Sequence, residues 1–176
     1  MLFRVSLHAL CLAAALSVTP IAGICAEPAP PPNPYLGRHV RGTTPKMDLL
    51  IEEGMRRSPT FQGLIEALNA SDVIVYLEAT NDMPKGLDGR LAFMTTAGGV
   101  RYLHAQVTSS MTLDELIPIA GHELQHALEV AAHAEVRDGN SLAALYMRIG
   151  IPSHVKNRYD TAAAQSTGKR VRAELS

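Results

Sequence analysis

The chain has 176 residues, 16 of them basic and 17 acidic, for a formal net charge of −1 at neutral pH. So even a balance excludes a protein held to nucleic acid or to an anionic membrane by bulk electrostatic attraction. Hydrophobic residues make up 47% of the sequence, which also excludes a wholly disordered chain.

The N-terminus has the layout of a secretory signal peptide. "MLFR" is a short basic start, "VSLHALCLAAALSV" is apolar, and "TPIAGICA" breaks the helix at Pro20 and supplies small residues. Cleavage is expected after Ala26. An uncleaved anchor is the competing reading, but His8 and Pro20 interrupt a run that is short for a bilayer span. A lipid-anchored start at Cys25 conflicts with Ile24, where a small residue is wanted. Removing residues 1–26 takes only Arg4 among the charges, leaving 150 residues with 15 basic and 17 acidic. It also takes both cysteines, Cys11 and Cys25, so packing, and a metal if one is bound, must stabilise the exported domain. The expected location is the bacterial periplasm or the extracellular medium, with no membrane attachment after cleavage and no nucleic-acid partner.

Residues 27–45, "EPAPPPNPYLGRHVRGTTP", contain six prolines. Extended polyproline conformations follow, and the segment reads as a disordered tether. The folded domain is expected over 46–176. "KMDLLIEEGMRRSPTFQGLIEALNAS" has helical spacing in two pieces, the second starting at Ser58 with Pro59 in the first helical position. "DVIVYLEA" (72–79) is β-branched and apolar, a buried strand. "RLAFMTT" and "VRYLHAQVTS" are two more strands, joined by "AGG" as a hairpin. In the second, Val100, Tyr102, His104 and Gln106 alternate with Arg101, Leu103, Ala105 and Val107. The fold class is α+β: a short three-stranded sheet packed on one helix, with flanking helices.

That helix starts at "TLDE", where Thr112 and Glu115 make a capping box. Pro118 predicts a kink or a short first turn. Ile117, Ala120, Leu124, Leu128 and Ala131 form its apolar stripe, and "RDGN" (137–140) is expected to end it. "SLAALYMRIG" follows as a short helix capped by Asn140 or Ser141 and stopped by Gly150. "YDTAAAQSTGKRVRAEL" is the last helix, with Asp160 in its first turn and a basic cluster, Lys169, Arg170 and Arg172, near its end. That cluster reads most simply as complementing the helix dipole on a solvated face.

The chemistry lies in "GHELQHALEV" (121–130). Residues four apart on a helix stand one turn from each other, so His122 and His126 can converge on one zinc ion. Glu123 projects one step round, suited to taking a proton from metal-bound water as general base. His133 lies about 10 Å further along the axis, out of reach of the same ion. Glu129 reads as a hydrogen-bond acceptor behind a ligand or as a solvated side chain. Asp160, on the following helix, is the candidate third ligand.

These residues resemble the HExxH zincin metallopeptidases, and the later acid resembles the gluzincin branch, whose third ligand is a glutamate. The stretch from "SDVIVYLEA" to "HELQHALEVA" is also similar to small exported bacterial proteins usually left as hypothetical. The resemblance implies His122 and His126 as ligands, Glu123 as base, and an aspartate where the branch has a glutamate. It implies a mixed sheet against the motif helix and a peptide or protein substrate, added along strand 100–107 where that strand is an edge; a plain core strand is the competing reading of the same residues. Tyr159, His154 and Tyr146 are candidates for an oxyanion donor. The rival expectation is a non-catalytic exported module that binds zinc structurally or docks a partner on the hairpin; a closed four-ligand site would distinguish it.

Overall fold

The computed structural model describes residues 37–152 and 159–176; the expected signal peptide, most of the tether and His154 lie outside them. The elements are β1 (Val40–Gly42), α1 (Pro45–Arg57), α2 (Pro59–Asn69), β2 (Val73–Thr80), β3 (Gly89–Ala97), β4 (Val100–Thr108), α3 (Leu113–Ala131), α4 (Gly139–Ile149), β5 (Ile151–Pro152), β6 (Tyr159–Asp160) and α5 (Ala162–Glu174). The class is α+β. No helix among the described residues is long and apolar enough to cross a membrane.

The sheet has four strands, not three, in the order β1-β2-β4-β3. The strand missed from sequence is β1, inside the expected tether. Val40 pairs with Val75 in parallel register and is 2% exposed, so a single apolar residue fixes the strand in the core. Gly42 comes so close to the start of α1 that a Cβ there would stand 2.5 Å from the Asp48 nitrogen. Thr44 then caps α1, with Pro45 in its first turn. The domain therefore begins before Lys46.

β2 and β4 are parallel neighbours, and β3 returns antiparallel on β4. Gly98 and Gly99, at φ of 58° and 82°, make the two-residue turn between them, a backbone only glycine adopts freely twice in succession. Strand 100–107 is thus paired on both sides. It offers no edge for an added peptide, and the edges of the sheet are β1 and β3.

One face of the sheet carries Val73, Val75, Leu77, Leu103, Ala105 and Val107, all fully buried. Against it lies α3, which presents Leu116, Ile117, Ala120, Leu124, Ala127 and Val130 to the core. Pro118 sits inside α3 without ending it; the carbonyl it leaves without a helical partner belongs to Asp114, on an exposed turn. Glu115 accepts hydrogen bonds from the Thr112 nitrogen at 2.9 Å and hydroxyl at 2.8 Å.

α3 ends at Ala131, earlier than "RDGN". The cause is Arg101, which is 1% exposed and points into the core-facing row of β4. Its Nη1 donates to the carbonyls of Val130 (2.7 Å) and His133 (2.8 Å), and its Nη2 to that of Ala131 (3.2 Å). Nε and Nη2 also grip the Asp72 carboxylate at 2.9 and 2.5 Å. A cation sited on the last carbonyls of a helix satisfies groups that have no intrahelical donor. The cap of α4 is Asp138, whose carboxylate accepts from the Ser141 nitrogen at 2.7 Å; Asn140 and Ser141 lie inside the helix.

Candidate metal centre

α3 and α5 cross closely because glycine stands on each side of the contact. A Cβ on Gly121 would lie 3.0 Å from Val171 Cγ2, and one on Gly168 would lie 3.4 Å from the His122 Cβ. That approach sets Asp160 over the two motif histidines. Asp160 is not in the first turn of the last helix. It is the final residue of β6, and Thr161 is the N-cap, its hydroxyl accepting from the Ala164 nitrogen at 3.1 Å.

The ring nitrogens His122 Nε2 and His126 Nε2 are 3.2 Å apart. Asp160 Oδ1 lies 3.3 Å from the first and 3.6 Å from the second. A tetrahedral ion with bonds of roughly 2.0–2.1 Å holds its ligand atoms about 3.3 Å from one another. The three atoms therefore outline one face of such a tetrahedron, and His122, His126 and Asp160 form a group that can hold a metal ion. They are the only such group of three or more among the described residues.

His126 and Asp160 are both held from behind. His126 Nδ1 is 2.8 Å from Glu129 Oε2, and the other oxygen of Glu129 accepts from the Thr161 hydroxyl at 2.6 Å. Glu129 thereby ties the motif helix to the residue next to Asp160 and fixes which His126 nitrogen faces the site. Asp160 Oδ2 accepts from Gln165 Nε2 at 3.0 Å and Oδ1 from the Thr161 nitrogen at 2.7 Å. Tyr146 packs edge-on against the His126 ring, centroids 5.1 Å apart, and donates its hydroxyl to the His126 carbonyl at 3.1 Å.

The charges follow from this packing. Burial opposes a proton on His126, but hydrogen bonds to Asp160 and Glu129 outweigh it and push the group up to about 9. His122 is lowered, by burial and by the neighbouring His126 charge. Burial alone would raise Asp160, yet the bonds from His126 and Gln165 bring it down to about 2. Glu123 is 5% exposed, and burial pushes its carboxyl up to about 7. Its carboxylate stands where β3 begins: a Cβ on Gly89 would be 2.5 Å from Glu123 Oε1 and 2.9 Å from Ile119 Cγ2. Only a residue without a side chain leaves that space.

Of the other candidates, His133 lies outside the group, its Nδ1 3.0 Å from Glu135. Tyr159 lines the cleft beside the site, as does Tyr146. Of the two roles its position allows, Glu129 is the hydrogen-bond acceptor and not a solvated side chain. Gln165 and Gly89 carry no sequence signal for their roles. Comparison with protein-family models, with curated proteins and with solved structures gives no match to this chain.

Proposed function

We propose that this chain is a small exported zinc metallopeptidase of zincin-like architecture, cleaving peptide bonds in an extended polypeptide. The observation that carries the reading is the triangle of ligand atoms with edges of 3.2, 3.3 and 3.6 Å beside a buried carboxyl raised to about 7. Two imidazoles and a carboxylate are a donor set suited to zinc, and three protein ligands leave one tetrahedral position for water. Zinc held there would supply a Lewis acid and bring the pKa of its water to about 7.

The chain's own residues do the rest. Glu123 takes the proton from the attacking water and passes it to the leaving amine, and a carboxyl near pH 7 serves both transfers. Glu129 keeps the His126 ring turned towards the site. Asp160 adds one negative charge, so two neutral histidines and one carboxylate leave a net positive centre. Tyr159 is the better placed of the two cleft tyrosines to donate to a developing oxyanion, because the Tyr146 hydroxyl is already bonded to the His126 carbonyl. The substrate lies along β3, whose first residues, Gly89, Arg90 and Leu91, line the cleft.

Metal analysis of the mature domain and peptide hydrolysis with and without chelator test the reading. Glu123→Gln should retain zinc and lose hydrolysis by at least about a hundredfold; His122→Ala should lose both. Hydrolysis at full rate in Glu123→Gln removes the catalytic assignment. Zinc retained by a protein that cleaves no peptide favours the non-catalytic module instead.

A further inference from the structure

Two recesses flank the metal centre, and their walls differ in chemistry. The larger, about 760 Å³, is walled on the α4 side by Leu142, Tyr146, Met147 and Ile151, with Leu91 of β3 opposite. Met147 is 68% exposed and Ile151 51%, large apolar side chains facing an open cleft. The smaller, about 330 Å³, is walled by α5 through Gly168, Lys169 and Arg172.

The cations of α5 are not all alike. Gln165, Lys169 and Arg172 recur at four and three residues, so they share one face of the helix, and all three line the smaller recess. Arg170 is off that face and acts on the Glu174 carboxylate. Lys169 makes no ion pair among the described residues. Arg172 is close enough to Glu115 to lower that carboxyl, as a lesser contribution. Two acids share the recess wall with the two cations: Asp88, and at the metal-centre end Glu123, whose carboxyl burial pushes up to about 7. Dipole complementation accounts for basic residues near a helix end, but not for their turning towards a cleft.

We infer that the cleft selects a peptide with a carboxylate on the α5 side of the susceptible bond and a bulky apolar side chain on the α4 side. Lys169 and Arg172 receive the first; Met147, Ile151 and Leu142 receive the second. This rests on the peptidase reading above. Gln165 is fixed to Asp160, and the helix rise places Lys169 about 6 Å and Arg172 about 10 Å beyond it. An extended peptide advances about 3.3 Å per residue, so the carboxylate falls two to three residues from the bond. A side chain of Asp or Glu and a free chain terminus present the same chemistry.

The test uses zinc-loaded Glu123→Gln protein and fluorescent peptides sharing one central leucine. One peptide carries Glu two and three residues away with an amidated end, one carries Gln there, and one has Gln with a free terminal carboxylate. Anisotropy at about 50 and 500 mM NaCl reads binding. The acidic or the free-carboxylate peptide should bind about five- to tenfold tighter than the neutral one at low salt. Which of the two gains identifies the source of the carboxylate. The Lys169→Gln/Arg172→Gln double variant should abolish that preference while holding zinc. Met147→Glu should weaken all three peptides and keep the preference. Equal binding of all three peptides overturns the subsite assignment and leaves the peptidase reading standing. Binding of none, with zinc retained, overturns both.

Discussion

Arg101 ends the motif helix from inside the core, and replacing it tests how far that helix depends on it. Arg101→Met keeps length and removes the guanidinium. The buried Val130 carbonyl, bonded at 2.7 Å, and the part-buried His133 carbonyl, at 2.8 Å, both lose their donor. Each buried carbonyl left unsatisfied costs about 1–3 kcal/mol. Asp72, 39% exposed at its side chain, regains solvent and adds little. The loss should total about 3–5 kcal/mol, the usual result of removing one partner from a buried ionic network. In a domain whose whole stability is on the order of 5–15 kcal/mol, the unfolding midpoint should fall by roughly 10–15 °C. Urea unfolding in chelator separates this from metal binding. Arg101→Lys should recover only part of the loss, since a point charge with three donors cannot reach Asp72 and the helix carbonyls together. A change under 1 kcal/mol in Arg101→Met would refute the capping role.

Gly89→Ala places a methyl within 2.5 Å of Glu123 Oε1; hydrolysis should fall about a hundredfold with zinc retained, and an unchanged kcat contradicts the placement of the base. Asp160→Glu introduces the longer acid of the gluzincin branch that the motif resembles, yet should weaken zinc binding by at least about tenfold, as a competition assay with a chromophoric chelator would report. In the metal-free protein, His126 is raised from its ordinary 6.5 to about 9, so its contribution to stability is full below about pH 6.5 and disappears as pH rises through about 9. Unfolding midpoints in chelator should decline across that window, and a rise there contradicts the ion pairing of His126 with Asp160 and Glu129.

Much of the scaffold is legible in local chemistry. Ser58 before Pro59, the paired glycines at 98 and 99, and the Thr112–Glu115 box each act within four residues, and each element starts or turns where those residues dictate. β1 is not legible, because its composition belongs to a proline-rich segment and only the pairing of Val40 with Val75 makes it a strand. The early end of α3 has its cause thirty residues upstream. One sign of it exists in the sequence: Arg101 is the single charged residue in the row that also holds Leu103, Ala105 and Val107, and a charge on a buried row needs partners. The expectation of an edge at β4 fails for a different reason: β2 pairs it in parallel on one side while β3 returns on the other, and a parallel pairing between strands about twenty residues apart leaves no local signal.

The shorter acid at position 160 follows from how near its backbone comes. α5 rests on α3 through Gly168 and Gly121, with less than a methyl group of spare room at either contact. Thr161 caps α5 and bonds Glu129 of α3, which anchors the chain one residue after Asp160. From that position an aspartate already brings its oxygen to 3.3 Å from His122 Nε2. One more methylene would carry the carboxylate past the triangle or force the two helices apart, against a contact fixed by glycines. The helix crossing and the length of the acid at position 160 are therefore one constraint: a close α3–α5 approach requires a short acid, and a long acid would require a wider one.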